Sequence, residues 1–146
     1  MRALLNSADD DIKNVVALTT LLQGKLPPVD TVHAIVETRN GSHGTFCVSF
    51  GTEHRSGFDV EVVTTAGRVT VSPTEVTATG KAFDEQKKEG FPFSSGVQSE
   101  MIAFVNSVRD GQVNERQSPE EALKDLQVLE ALLRSGHAGA AKTLVE

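Results

Sequence analysis

The period of the hydrophobic pattern changes once along this chain, and that change constrains the fold more than any other feature. Up to about Lys81 the sequence is rich in Val, Thr and Phe and alternates apolar with polar residues. After about Ser94 the apolar residues recur at helical spacing. Strands followed by helices, rather than interleaved with them, indicate an α+β fold and not a series of βαβ units. The 146 residues are expected to form a single domain, 1–146, that buries about two thirds of its unfolded surface. They are too few for a dinucleotide-binding half and a separate substrate half together.

The alternation predicts strands over 12–22, 31–39, 45–52, 57–65, 68–72 and 75–79, after a short helical end at 2–7. Two prolines in GKLPPVD forbid regular pairing there. Asn40-Gly41 signals a hairpin. Val32, Ala34, Val36, Phe46, Val48, Phe50, Phe58, Val60 and Val62 share one parity, and Val69 and Val71 rejoin it after a turn. Placing them all on one core face sets Val36 opposite Phe46 and Val48 opposite Val62, with a hairpin loop of three or five residues. The other face would then carry three rows: Ile35, Cys47 and Val63; Glu37, Thr45, Thr65 and Arg68; and His33, Ser49, Glu61 and Ser72.

Two helices follow. Val97, Met101, Phe104, Val105 and Val108 lie on one stripe, and Gly111 ends it. In SPEEALKDLQVLEALLRSG, Ser118 is an N-cap, Pro119 takes the first helical position and Glu121 completes a capping box. Leu123, Leu126, Leu129 and Leu133 form the apolar stripe, and Gly136 reads as the stop. The expected architecture is an open, mostly antiparallel sheet of five to six strands, with both C-terminal helices on its apolar face.

Charge and composition then remove several functions. Fourteen basic residues against twenty acidic ones give a net charge of −6, so the cationic footprint of a nucleic-acid binder is missing. No apolar run is long enough to span a membrane, and MRALLNSADDD lacks the apolar stretch of a secretory signal. The single cysteine, Cys47, allows no internal disulfide, so a reducing, cytoplasmic setting is expected. With no Tyr and no Trp, any active site lacks a phenol acid and an indole platform.

Several segments together resemble a known family. They are the P-P-V-D-T-V lead into a strand, the N-G hairpin, the TTAGRVTVS strand–turn–strand, the helix SGVQSEMIAFVNSVRDG and the closing RQSPEEALKDLQVLEALLRSG. From about Ile12 to Gly136 the chain resembles the C-terminal, substrate-side domain of the Gfo/Idh/MocA oxidoreductases. That resemblance implies an open sheet backed by helices, with its free face commonly used as a subunit interface. The family's G-x-G-x-x-G turn and its E-K-P lysine are not in the sequence. Residues 2–7 resemble the last turn of the helix that bears the family's catalytic His. No family catalytic or cofactor residue therefore carries over, and no cofactor and no metal are expected.

The residues offer one constellation of their own. His33, Ser49 and Glu61 in one row are the types of a nucleophile–base–orienter set, and His33 beside Glu61 or Asp59 could act as an acid–base pair. The plain alternative is a solvated polar sheet face. His43 and His54 fall in loops, where Glu53, His54 and Asp59 make a weak metal set. Cys47 reads as inert, buried or at an interface between Ile35 and Val63. Phe83, Phe91 and Phe93 read as a loop packed on the core, and 81–90 as a charged connection. The function expected from this is a stand-alone, cofactor-independent isomerase or cyclase for a small molecule, with His33, Ser49, Asp59 and Glu61 catalytic. It would be a homodimer through the free sheet face. The alternative is a non-catalytic partner, or a remnant or fragment, of an NAD(P)-dependent relative.

Overall fold

The computed structural model describes residues 2–6, 8–54, 56–81 and 85–146. The chain divides into two compact units, Met1–His54 with Val113–Glu146, and Arg55–Gln112. Each holds one four-stranded antiparallel sheet, so the α+β class stands while the single sheet of five to six strands becomes two.

In the first unit, α1 (Arg2–Asn6) precedes β1 (Ile12–Thr20), β2 (Thr31–Thr38) and β3 (His43–Ser49). After a 3₁₀ turn at Glu115–Gln117 come α3 (Pro119–His137) and β8 (Thr143–Leu144). The sheet order is β3-β2-β1-β8. The parity read from the sequence holds within these strands, where Ala34 lies opposite Phe46 and Val32 opposite Val48, but Phe50, expected on the same core face, lies beyond β3 and is exposed. Val36, however, faces Gly44 and not Phe46, a slip of two residues that keeps every side chain on its face. The cause is the hairpin. Its loop has three residues, closed by Gly41 N–H to the Thr38 carbonyl at 3.2 Å and by Thr38 N–H to the Ser42 carbonyl at 2.9 Å. Gly41 takes φ +84°, the left-handed position such a loop requires.

One helix closes the core. Val128, Ala131, Leu132 and Ser135 of α3 are buried with Ile12, Val15, Ala17, Ala34 and Val36. This corrects the expected helix face: Leu123, Leu126, Leu129 and Leu133 are all exposed. Both stripes have helical spacing, but the buried one is narrow, and narrow residues let the helix sit close to the sheet. Gly136 makes the same point. It lies inside the helix, which runs on to His137, and a Cβ there would meet the Thr19 side chain at 2.5 Å. It permits close approach and is not the stop. Ser135 adds a polar clamp, accepting the Ala17 N–H at 2.8 Å and donating to the Ala141 carbonyl at 2.6 Å. The N-cap is as expected, since Ser118 Oγ accepts the Glu121 N–H. The Glu121 carboxylate turns instead to Arg2, which also meets Asp125 and Asp11 and ties α1 to the start of α3.

The second unit is a meander of β4 (Val60–Val63), β5 (Gly67–Val71), β6 (Glu75–Gly80) and β7 (Lys87–Gly90), followed by α2 (Val97–Asp110). Val60, Val62, Val69 and Val71 do share a face, since Val60 pairs Val71 and Val62 pairs Val69. No described residue of this unit is buried. The stripe Val97, Met101, Phe104, Val105 and Val108 is exposed, so α2 does not cover a sheet as expected. Gly111 does cap it, in the left-handed conformation. Phe91 and Phe93 are exposed and not packed on a core, Phe83 lies outside the described residues, and the charged 81–90 connection includes β7.

Candidate functional site

The face of the first sheet opposite α3 holds most of the chemistry-bearing residues. Strand alternation puts Asn14, Val16, Leu18 and Thr20 of β1 there, with Thr31, His33, Ile35 and Glu37 of β2 and His43, Thr45, Cys47 and Ser49 of β3. His33 stands between Leu18 and Cys47, so its neighbour is the thiol and not Ser49. It is exposed and makes no side-chain hydrogen bond among the described residues. Cys47 is exposed too, and its row holds His33 and not Ile35 and Val63.

Ser49 lies opposite Thr31, and their hydroxyls are 2.8 Å apart. Thr31 Oγ1 donates to Asp30 Oδ1 at 2.9 Å, which commits its proton and makes Ser49 the donor to Thr31. The chain of hydroxyls thus ends on the buried Asp30 carboxylate. The N–H of Leu22, with that of Gln23 and the Thr31 hydroxyl, holds this carboxyl below its ordinary value of 3.8. A carboxylate so well supplied with donors is a weak base. The relay fixes the ends of β2 and β3 and does not activate Ser49 as a nucleophile.

Glu61 and Asp59 belong to the second unit. Glu61 reaches diagonally across the β4–β5 pair to form an ion pair with Arg68. The expected pairing of Val48 with Val62 is not formed: β3 pairs with β2, and Val62 with Val69. That pairing was the premise that put His33, Ser49 and Glu61 in one row, so the strands do not assemble the proposed set. Strand alternation alone cannot say which strands are neighbours, and this is where the sequence reading failed. Among the described residues no three His, Cys, Asp or Glu side chains cluster as a metal site.

Two groupings escaped the sequence reading. One is Asp30, visible only as the D of P-P-V-D-T. The other is a polar corner where Glu37 Oε2 accepts from Asn14 at 2.9 Å and pairs with Lys142 at 2.6 Å. Lys142, then Asn14, pulls the Glu37 carboxyl from 4.5 to about 2. Lys142 is more than one hundred residues away in sequence, so no local motif announces it.

No family model matches the chain. A dehydrogenase of Fusarium mangiferae, FPY6, is 38% identical over 151 residues, covering 100% of this chain and 43% of that protein. An oxidoreductase of Thermotoga maritima is 26% identical with a TM-score of 0.74, over 92% of this chain and 38% of its own. An oxidoreductase of Agrobacterium radiobacter, solved with NAD+, L-tartaric acid and magnesium, reaches a TM-score of 0.80 at 17% identity, over 99% and 45%. An aldose-aldose oxidoreductase of Caulobacter crescentus, solved with glycerol, reaches 0.76 at 14%, over 98% and 44%. The chain thus spans less than half the length of these relatives. The likeness to the substrate-side domain of Gfo/Idh/MocA oxidoreductases is borne out.

Proposed function

We propose that this chain is the substrate-side portion of an NAD(P)-dependent dehydrogenase of the Gfo/Idh/MocA type, and that hydride chemistry requires protein beyond these 146 residues. The observation that carries the reading is the 38% identity over the whole chain to 43% of a dehydrogenase. The described residues do not fit a nicotinamide dinucleotide. Both sheets are wholly antiparallel, whereas such a cofactor is held where a parallel strand turns through a glycine-rich loop into a helix. No step through the cofactor is therefore assigned to this chain. Its contribution is a rigid sheet and helix against which a substrate can be held.

Leu123, Leu126 and Leu129, uncovered on α3, support the same reading, because an exposed apolar helical stripe marks a surface that meets further protein. The free face of the first sheet, with Leu18 and Ile35 exposed, is the surface we assign to a homodimer. A stand-alone isomerase or cyclase built on His33, Ser49, Asp59 and Glu61 draws no support from the dehydrogenase relatives.

Two measurements test this. The coding sequence directly upstream of Met1 is expected to encode a glycine-rich strand–turn–helix, and a stop codon in frame there would overturn the reading. Calorimetric titration of the 146-residue chain with NADH and NADPH is expected to show no binding, and saturable micromolar binding would contradict the division of labour.

A further inference from the structure

We propose that the groove at the C-terminal end of α3 is a binding site for a small anion with an apolar body, such as an aryl carboxylate. The groove has a volume of about 560 Å³, within the range of small-molecule sites. Thr19 of β1, Pro28 and Val29 of the segment before β2, and Leu133, Arg134 and His137 of α3 line its walls.

The wall is built to stay in place. The Asp30 carboxylate accepts the N–H of Leu22 at 3.0 Å and of Gln23 at 2.7 Å. Its own N–H donates to the Thr20 carbonyl at 3.1 Å, and its carbonyl accepts the Phe50 N–H at 2.8 Å. Gly51 lies flush against the carboxylate, where a Cβ would come within 2.6 Å. The segment 21–29 is therefore fastened at both ends, and Asp30 is the positioning residue for the Pro28–Val29 wall. The opposite wall is set by the close approach of Gly136 to Thr19. A groove formed in advance loses little entropy when a ligand enters.

The lining selects the ligand class. Pro28, Val29 and Leu133 present carbon, and Thr19 supplies the one hydroxyl. A polyol needs several converging polar side chains and would leave its hydroxyls unpaired here. Arg2, Arg68 and Arg109 each have a carboxylate partner, whereas Arg134, like Arg39 and Arg116, has none among the described residues, and of these three Arg134 lines the groove. An open guanidinium fork beside an apolar groove, in a chain of net charge −6, is complementary to a carboxylate. His137, three residues on, can donate a second hydrogen bond. The helix C-terminus carries about half a negative charge, which the full charge of Arg134 outweighs. The groove lies some 18 Å along α3 from Glu121, at about 1.5 Å per residue, so it is separate from the Arg2 cluster.

The experiment uses the full chain and follows the Leu133 and Val29 methyl signals and the His137 ring signals by NMR. Benzoate is the probe and benzyl alcohol its neutral match in shape. Benzoate is expected to give saturable shifts at all three residues with an affinity about tenfold above that of benzyl alcohol, the factor that one charge-assisted contact supplies. Arg134→Gln should bring benzoate down to the level of benzyl alcohol, while Arg109→Gln, whose partner is Asp110, should change nothing. Equal binding of the two probes, shifts that never saturate, or full benzoate binding by Arg134→Gln would each overturn the proposal.

Discussion

The two units of this chain are made from the same kind of strand and differ in what covers them. In the first, Ile12, Val15, Ala17, Ala34 and Val36 are buried because α3 lies over them. In the second, the valines of β4 and β5 share a face just as regularly, yet no described residue is buried. Alternation makes a strand two-sided, but a core needs a second layer. The lesson is that pattern regularity measures strand formation and not stability.

The largest expected effect tests that contrast directly. Leu132→Ala, at a site 2% exposed, should cost about 2–5 kcal/mol in chemical denaturation of the first unit. Val69→Ala, at a site 40% exposed, should cost less than about 1 kcal/mol. A Val69 variant as damaging as the Leu132 variant would break the comparison. Amide hydrogen exchange gives the same test without mutation, with β1 and β2 expected to exchange far more slowly than β4 and β5.

Next is the contact that lets α3 sit close. Gly136→Ala should destabilise by about 1–3 kcal/mol, because its Cβ meets the Thr19 side chain. Adding Thr19→Ala should recover part of that loss, and a loss unchanged in the double variant would mean that the contact is not its source. Ser135→Ala should cost about 1–2 kcal/mol, since it leaves the Ala17 N–H and the Ala141 carbonyl without their shared partner.

The smallest effect is one of acid stability in the first unit. Lys142 and Asn14 lower the Glu37 carboxyl from 4.5 to about 2. A depressed carboxylate adds stability that is fully present above 4.5 and is lost as pH falls toward 2. Glu37→Gln should therefore flatten the decline in melting temperature between pH 4.5 and 2, with little change in slope above it. An unchanged acid slope would show that the Lys142 contact contributes nothing in solution.

Local structure was largely legible. Strand parity, the hairpin at Asn40-Gly41 and the start of α3 followed from alternation, turn chemistry and capping, which act over a few residues. The candidate site was hardly legible. His33 and Ser49 do share a face, but Glu61 and Asp59 lie in another unit, and Cys47 is the neighbour that strand parity alone did not give His33. Asp30 and Lys142 draw their roles from partners distant in the fold.

The amino-acid sequence by itself determined the fold class, the order of β1 to β6, α2 and α3, and which residues within a strand point the same way. Periods of two and of 3.6 residues are properties of the backbone, and they are written in the chain one residue at a time. The tertiary structure alone decided which strands pair and which of the two apolar stripes of α3 is buried. Both choices depend on shape: hydropathy favours Leu126, Leu129 and Leu133, yet Val128, Ala131 and Leu132 are the set that is buried. The narrower set, with Ser135 and Gly136, lets the backbone of α3 approach β1 closely enough to close the core.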